Sequence, residues 1–591
     1  MNKSLKTLFA VAALCFCASA SGAGIPRPEY PRPQFERADW VNLNGTWTYT
    51  FDFGTTGQQR GWTESKGFDG KINVPFCPES KLSGVEYTDF IPCIWYQRTI
   101  EVPASWDGRN ILLNFGAVDY EALVYIDGKF AGTHKGTGSS FSLDITKFVK
   151  PGSSANLVIC VNDNLRGGLQ PGGKQSKDLY SSGCMYTRVT GIWQTVWMEA
   201  VAEQGLERVF ATPDIDQHQL VIRPEFRLEN IANTLTVEMY EGAKMVASRT
   251  VKAVNGASIV LSLKKMRLWS PEDPFLYDLK YIVKDASGKV IDEVKSYAGM
   301  RKVSLSDGYF HLNNKPFFQK LVLDQGFYPD GVWTAPSDDA LKQDIELSIA
   351  AGFNGARLHQ KAFEERYYYW ADKLGYLTWG EQASWGLDVN SDLAARNFIS
   401  EWVELVTRDR NHPSIVTWTP FNETWDARPG VYQRFIRDIY DITKAIDPTR
   451  PVNDASGDSH VKTDIWSVHD YTREHDKLVE NHTFKTGAQP YRNKNAGFLA
   501  KYEGQPYMID EFGGLPWIRL EERGSSWGYG KNIDTLEEFY NALEGEIDAI
   551  LKCKHVVGIC YTQITDVEQE KNGIYYYDRS SKFDNARIKS I

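Results

Sequence analysis

Two stretches of the chain decide its fold: Ser414–Trp425, SIVTWTPFNETW, and Tyr507–Gly514, YMIDEFGG. Each begins with β-branched and aromatic residues, which are typical of a buried strand, and runs on into an acidic residue. Six more such runs alternate with amphipathic helical patterns in residues 304–591: FFQKLVLD (317–324), FNGARL (353–358), YLTWGE (376–381), PVNDA (451–455), DIWSV (464–468) and VVGICYT (556–562). Strands that alternate with helices predict a parallel sheet, and eight such units predict a (β/α)8 TIM barrel.

Upstream of this barrel the chain contains short strand patterns without helices. From Trp40 to Ala200, runs such as NILLNFGAV (110–118) are separated by Gly, Asp, Asn and Pro, which predicts an all-β sandwich. Residues 201–303 hold roughly seven strand patterns, which fits an immunoglobulin-like β-sandwich. We therefore expect a multidomain protein with domains at 24–200, 201–303 and 304–591.

The N-terminus has the pattern of an export signal over residues 1–23. Lys3 and Lys6 precede an apolar run, Leu8–Phe16, and small residues follow it, with cleavage expected after Ala20 or Ala23. The sequence thus predicts a periplasmic or secreted protein. An uncleaved anchor helix is the alternative, but the apolar run is short for a membrane span.

The composition bears on the partners of the protein. The formal net charge is −10 and no basic run offsets it, which disfavours nucleic acid. No internal stretch reaches the roughly 18 apolar residues of a membrane span. The 18 Trp, 30 Tyr and 29 Phe are enough for cores and for platforms that stack on the flat faces of sugars. Assembly into a homo-oligomer stays open.

Several chemistries lack their motifs. The ten His residues form no HExxH or HxH pattern, so no metal site is expected, and neither GxSxG nor GxxxxGK[ST] occurs. Six cysteines follow the predicted signal, none in a CxxC pattern, so buried thiols or one or two disulfides are expected. A Cys77–Cys93 bridge is one candidate in an oxidising compartment.

Two acids lie where a barrel places its chemistry, at the carboxyl ends of strands. Glu423 follows the fourth predicted strand and Glu511 ends the seventh. Glycoside cleavage needs two carboxylates, which retaining enzymes hold about 5–5.5 Å apart. Most of the 76 acidic residues must be caps or surface charges, but this pair on facing strands predicts a glycosidase.

Further polar residues follow other barrel strands and are expected at the same rim. We interpret them as sugar contacts or as supports for such contacts. They are Arg357, His359, Gln360 and Lys361 after the second strand, Glu381 after the third, His469, Asp470 and Tyr471 after the sixth, and Gln563 after the eighth.

An ordered series of motifs resembles glycoside hydrolase family 2, which includes β-galactosidases, β-glucuronidases and β-mannosidases. It comprises IWYQR (94–98), RVTGIWQTVW (188–197), LWSPEDPFLYDL (268–279), AGFNGARLHQK (351–361), RDRNHPSIVTWTPFNETW (408–425) and ITDVEQEKNGIYYYDR (564–579). The resemblance implies a jelly-roll sugar-binding domain, an immunoglobulin-like domain and a TIM barrel.

The resemblance also implies a retaining double displacement without a cofactor. It implies that Glu423 is the general acid/base and that Glu511 is the nucleophile. Asn422 matches the asparagine whose amide contacts the sugar 2-hydroxyl, and Trp425 is grouped with the substrate contacts.

The same resemblance implies a class of substrate. We expect the substrate to be a terminal glycoside of a poly- or oligosaccharide. Gln382 and Met185 stand where large β-galactosidases have a magnesium site and a sugar-binding Asp, and the Asn-x-Lys pair of β-glucuronidases has no convincing equivalent. A β-galactosidase-like exo-glycosidase is our first expectation. The alternatives are an α-L-arabinopyranosidase, β-glucuronidase, β-mannosidase, β-galactofuranosidase or non-catalytic carbohydrate-binding scaffold.

Overall fold

The computed structural model describes three domains, each with its own hydrophobic core. The described residues are 24–424, 430–457, 459–485, 487–492 and 500–591. The predicted export signal and Trp425 lie outside these residues.

The first domain is the jelly roll, in which a six-stranded and a four-stranded antiparallel sheet enclose the core. The strands at the centres of the two sheets are buried along nearly their whole length. Its strands are β1 (Trp40–Asn42), β2 (Gly45–Phe51), β3 (Gly70–Val74), β4 (Cys93–Glu101), β5 (Asn110–Phe115), β6 (Val118–Asp119), β7 (Glu121–Ile126), β8 (Lys129–Lys135), β9 (Phe141–Asp144), β10 (Ser154–Asn162), β11 (Gly191–Ile192) and β12 (Val196–Val201).

The second domain is the immunoglobulin-like sandwich. A three-stranded sheet packs on a four-stranded sheet, in the order β13-β14-β17 and β16-β15-β18-β19. Its strands are β13 (Leu206–Asp214), β14 (Gln219–Phe226), β15 (Thr234–Glu241), β16 (Lys244–Lys252), β17 (Ile259–Ser262), β18 (Tyr277–Lys284) and β19 (Val290–Ala298).

The third domain is the barrel. A small antiparallel sheet, β20 to β22, precedes it, and Phe310 of that sheet belongs to the same buried hydrophobic cluster as Leu321 and Trp379 of the barrel strands. The strands are β20 (Val303–Ser306), β21 (Tyr309–Leu312), β22 (Lys315–Pro316), β23 (Gln319–Asp324), β24 (Gly355–Leu358), β25 (Leu377–Glu381), β26 (Ile415–Thr419), β27 (Phe421–Asn422), β28 (Ala455–Ser456), β29 (Trp466–His469), β30 (Tyr507–Gly513) and β31 (Val556–Thr562).

The barrel strands are parallel and occupy eight positions. Seven strands form one sheet in the order β26-β25-β24-β23-β31-β30-β29, and β28 fills the remaining position by pairing with β27. The predicted fifth strand, 451–455, is shorter than expected and displaced. Pro451 has no amide hydrogen, and the Asp454 carboxylate binds the amides of Ala455 and Val461.

Helices surround the barrel and begin at side-chain caps in several cases. Ser337 caps the first, and Thr535 with Glu538 forms a capping box. Within the described residues no helix combines the length and apolarity needed to cross a bilayer. The helices are α1 (Asp338–Ala350), α2 (Glu365–Leu374), α3 (Asp392–Asp409), α4 (Val431–Ile446), α5 (His475–His482), α6 (Leu536–Leu551) and α7 (Asn585–Ser590).

The structure does not contain the candidate disulfide bridge between Cys77 and Cys93. Cys93 instead lies with its sulfur 3.4 Å from that of Cys160, both as free thiols. Cys93 pairs with Asn162 across β4 and β10, so Cys160 lies two residues along and shares its face. The neighbour of Cys93 is thus set by strand pairing.

The chain before β1 holds the first two domains together. Arg37 is buried there and donates two hydrogen bonds to Asp292 of β19, at 3.0 and 2.9 Å. It also donates to Glu199 of β12, at 3.4 Å. One guanidinium therefore neutralises a buried carboxylate in each β-domain.

Replacing Arg37 should destabilise this pair of domains. Arg37→Leu leaves Asp292 buried without its cation, which costs roughly 3–5 kcal/mol. The control is Arg208→Leu, because Arg208 forms an exposed pair with Glu225, worth about 0–1 kcal/mol. Urea unfolding followed by tryptophan fluorescence measures both. Equal effects of the two substitutions would contradict the role of Arg37.

Candidate active site

The two predicted acids lie together at the mouth of the barrel. Glu423 follows β27, and Glu511 lies within β30. One carboxylate oxygen of each, together with a ring nitrogen of His469, lies within 4.8 Å of the others. This spacing suits a retaining pair, since an inverting pair needs about 6.5–9.5 Å to admit a water.

Glu423 is held in an uncommon backbone conformation. Its φ angle is 45°, in the left-handed region, and its amide donates to the Ser456 carbonyl at 2.8 Å. His469 Nδ1 lies 2.6 Å from Glu423 Oε1. Non-glycine residues with such angles cluster at functional sites, where surrounding contacts hold them.

Glu511 is surrounded by groups that favour its charged form. Arg357 Nη1 donates to Oε1 at 2.8 Å, the Tyr471 hydroxyl donates to Oε2 at 2.6 Å, and His469 Nδ1 lies 3.3 Å from Oε2. Burial by itself would raise the pKa of Glu511, but the positive charges of His469 and Arg357 bring it below its ordinary value. Glu511 is therefore ionised at neutral pH.

His469 lies between the two acids as a cation. Burial would lower its pKa, but the charges of Glu511, Asp510 and Glu423 raise it to about 9. Its Nε2 lies 2.7 Å from Ser456 Oγ, which donates to Asp510 Oδ2. Asp510 therefore supports the position of His469 through Ser456, whereas the side chain of Glu511 faces the barrel mouth.

Arg357 connects the acids to the neighbouring strands. Its side chain is fully buried and donates to Glu381, at 2.8 Å, and to the side-chain oxygen of Asn422. This bond turns the Asn422 amide: its Nδ2 is buried and has no partner among the described residues. That donor is free for a ligand.

Three predicted rim residues bind other protein groups. His359 Nδ1 lies 2.8 Å from Arg357 Nη2, and the Gln360 side-chain oxygen accepts from the Ser384 amide at 2.8 Å. Lys361 donates to the carbonyls of Gly326 and Trp333. These side chains hold the loops around the mouth.

Two further predicted residues also have partners away from the acids. Asp470 accepts from the Thr472 amide and from Asn481, and lies 3.1 Å from His482. Gln563 is buried and donates to Asn572 at 2.8 Å. Its oxygen is buried with no described partner.

Several residues around the site were not among the predicted site residues. Trp385 donates from Nε1 to the Asn422 carbonyl at 3.0 Å, and Tyr529 stacks on Tyr471 with ring centroids 3.6 Å apart. The Lys174 ammonium lies 4.0 Å from the centroid of the Trp385 ring. Aromatic content was the one sequence signal that pointed towards such rings.

The charge on His469 should make stability depend on pH. Its pKa is raised from 6.5 to about 9 by folding, so its stabilisation is complete below pH 6.5 and is lost as pH rises through 9. His469→Gln should therefore cost about 3 kcal/mol at pH 6 and much less at pH 10. Thermal unfolding across this range measures it, with His218→Gln, an exposed site, as the control. If the stability lost in His469→Gln were the same at every pH, this would contradict a positive charge on His469 in the folded protein.

Three family models match most of the chain, between residues 40 and 515. The sugar-binding domain of glycosyl hydrolases family 2 matches residues 40–196, the central family 2 domain matches 206–301, and the family 2 TIM barrel domain matches 303–515.

Individual relatives are distant. The β-glucuronidase of Canis lupus familiaris is 26% identical over 465 residues, which cover 72% of this chain and 69% of that protein. A β-galactosidase of Thermoanaerobacter pseudethanolicus is 24% identical over 403 residues, 64% of this chain and 50% of that protein.

Among solved structures, the β-glucuronidase from Ruminococcus gnavus in complex with D-glucuronic acid has the same fold. Its TM-score is 0.78 at 18% identity, and the alignment covers 96% of this chain and 99% of that one. Three domains in the same order and three matching models lead to one conclusion: the chain belongs to glycosyl hydrolase family 2.

Proposed function

We propose that the protein is a secreted, retaining exo-glycosidase that cleaves terminal glycosides by double displacement. The observation that carries this proposal is that one carboxylate oxygen of Glu423 and one of Glu511 lie within 4.8 Å of each other. Only a pair this close lets one carboxylate attack the anomeric carbon while the other protonates the leaving oxygen.

Glu511 is the nucleophile. Its pKa is lowered, so it is an anion when substrate binds. The carboxylate attacks the anomeric carbon, the glycosidic bond breaks, and a glycosyl-enzyme ester forms. Arg357 and Tyr471 hold both oxygens, which fixes the direction of attack.

Glu423 is the general acid and then the base. It gives its proton to the leaving oxygen in the first step. In the second step it removes a proton from a water that attacks the anomeric carbon, and the ester bond breaks to release the sugar and the Glu511 carboxylate. His469 Nδ1 contacts Oε1 at 2.6 Å. Proton transfer through Oε2 fits this arrangement.

The first candidate for the sugar is a β-galactoside or a sugar of similar shape, such as an α-L-arabinopyranoside. The second candidate is a β-glucuronide, because several relatives have that name. A panel of 4-nitrophenyl glycosides identifies the sugar, and proton NMR of the first product identifies its anomeric configuration. If no glycoside of the panel releases nitrophenol, a non-catalytic binding scaffold is favoured. If the first product has the anomeric configuration opposite to that of the substrate, the retaining mechanism is rejected.

The two acids should respond differently to removal. Glu511→Ala should abolish turnover, a loss of about 10⁴-fold or more, and azide should not restore a product of retained configuration. Glu423→Ala should keep a usable first step on substrates with good leaving groups, since these need little protonation. Steady-state rates on phenols of graded acidity measure both.

Glu474→Gln is the matched control, because Glu474 is an exposed acid at the start of α5. It should keep the unaltered rate. Turnover that survives Glu511→Ala, or a Glu423→Ala loss that is the same for every leaving group, would reject the assigned roles.

The Tyr471 hydroxyl should matter for the reaction more than for binding. Tyr471→Phe removes a charge-assisted hydrogen bond to the nucleophile, worth about 1.5–3 kcal/mol. We expect kcat to fall about 10- to 100-fold with little change in KM. A rise in KM at constant kcat would mean that the hydroxyl binds substrate instead.

A further inference from the structure

Three aromatic rings form a row that begins beside the proposed nucleophile. The Tyr471 hydroxyl donates to Glu511 Oε2 at 2.6 Å, and the Tyr529 ring lies parallel to the Tyr471 ring with centroids 3.6 Å apart. The Trp527 ring meets the Tyr529 ring in an edge-to-face arrangement, at a centroid distance of 5.2 Å. We call Tyr471, Tyr529 and Trp527 the aromatic row.

Trp527, the outer ring of the row, is fixed by three hydrogen bonds. Its amide donates to the Gln569 carbonyl at 3.0 Å, and its carbonyl accepts from the Lys571 amide at 2.9 Å. Its indole Nε1 donates to the carbonyl of Gly183, a residue of the jelly-roll domain, at 2.6 Å. Because backbone and side chain are both held, a ligand that binds this ring has little motion of the ring to restrict.

The jelly-roll segment around Gly183 is itself tied to the barrel. Gln569 Nε2 donates to the carbonyls of Gly183 and Met185, at 2.7 and 2.9 Å. The Thr187 amide donates to the Glu568 carboxylate at 2.9 Å. Loops of two domains therefore build this part of the rim together and fix the position of the indole.

The outer rings of the row keep part of their surface open. Trp527 and Tyr529, both on the loop after β30, are only half-buried. The proposed mechanism uses the Tyr471 hydroxyl and neither of these two rings. A large aromatic ring that is held in place but left partly exposed at the mouth of a site is suited to stack on a flat apolar face.

The reaction centre lies deeper than Trp527. Glu511 is 5% exposed and Asn422 is 1% exposed, so the sugar that is cleaved off must enter an enclosed pocket. In exo-cleavage only this terminal sugar enters, and the rest of the substrate extends from the glycosidic oxygen towards solvent. The outer end of the aromatic row lies on that outward path, because Trp527 is separated from Tyr471 by the Tyr529 ring.

We propose that Trp527 is the platform of a leaving-group subsite, on which the second sugar of an oligosaccharide stacks before the glycosidic bond breaks. This inference rests on the proposed function. The face of a pyranose ring that carries C–H groups is apolar and matches an indole in size. Stacking needs no particular hydroxyl pattern, so Trp527 contributes affinity for a ring as leaving group and little discrimination among rings.

Such a platform acts on one half of the reaction. The leaving group is present while Glu511 attacks and is gone when water opens the glycosyl-enzyme. Loss of the platform should therefore lower kcat/KM, which covers binding and the first step, and should leave hydrolysis of the glycosyl-enzyme unaltered.

The test compares Trp527→Leu with the unaltered enzyme on two glycosides of the sugar that the nitrophenyl panel identifies. The 4-nitrophenyl glycoside has a ring that can stack, and the glycosyl fluoride has none. Trp527→Leu should lower kcat/KM about tenfold for the nitrophenyl glycoside and should change it less than about twofold for the fluoride.

A second set of substrates tests whether the leaving group is a sugar. It contains the three disaccharides in which the same terminal sugar is linked to the 3-, 4- or 6-hydroxyl of glucose. At least one should be cleaved, and Trp527→Leu should lower its kcat/KM about as much as that of the nitrophenyl glycoside. If none of the three is cleaved, or if the cleaved one is unaffected by the substitution, a sugar is not the occupant and the proposal is overturned.

Two matched variants separate stacking from anchoring. Trp527→Phe keeps a flat ring but loses the hydrogen bond to Gly183, so it should keep most of the rate on the nitrophenyl glycoside. Phe130→Leu removes a ring that is 53% exposed on β8, where it contacts Tyr125, and should change neither rate.

A binding measurement covers the case in which Trp527→Leu folds poorly, as its melting temperature would reveal. The phenyl and methyl 1-thioglycosides of the same sugar are compared as competitive inhibitors of the unaltered enzyme. The phenyl compound should bind about tenfold more tightly, because only its ring reaches a platform. Equal inhibition constants would overturn the proposal.

The remaining outcomes are distinct. Equal losses on the nitrophenyl glycoside and the fluoride would mean that Trp527 shapes the reaction centre, and no loss on either would mean that the ring is idle; both overturn the inference. Trp527→Phe as impaired as Trp527→Leu would assign the residue to anchoring the segment at Gly183, which also overturns it. These results leave the glycosidase proposal in place, whereas an enzyme that cleaves no glycoside at all contradicts the proposed function itself.

Discussion

The site depends on the buried guanidinium of Arg357. Moving such a cation out of water costs several kcal/mol, and only well-placed partners offset the penalty. Arg357 has them on three strands: Glu381 of β25, Asn422 of β27 and Glu511 of β30. One charge thus ties four barrel strands together at the mouth, because Arg357 itself belongs to β24.

Two carboxylates held within 4.8 Å repel each other unless positive charge lies nearby. Here Arg357 and His469 supply it from opposite sides of Glu511. The arrangement is asymmetric, since Arg357 binds Glu511 whereas His469 makes its shorter contact, 2.6 Å, with Glu423. Different partners for the two acids are what a nucleophile and an acid/base require.

The jelly-roll domain takes part in the site through its loops. Tyr186 binds Glu570, and the backbone at Gly172 and Gly173 binds the Trp385 carbonyl. These contacts hold the jelly roll against the barrel, whereas the buried ion pair of Arg37 with Asp292 holds it against the immunoglobulin-like domain. A wall contributed by another domain needs a fixed position to discriminate between sugars.

The sequence by itself determined the three domain types and the two acids at barrel strand ends, because strand and helix periodicities are local and the family motifs occur in order. Local patterns could not foresee the short fifth strand, where the Asp454 side chain binds backbone amides, or the contact between Cys93 and Cys160. Trp385 and Tyr529 were equally hidden. Only the tertiary structure places Trp385 against Asn422 and Tyr529 against Tyr471, because contacts between residues that are distant in the chain leave no periodic trace in it.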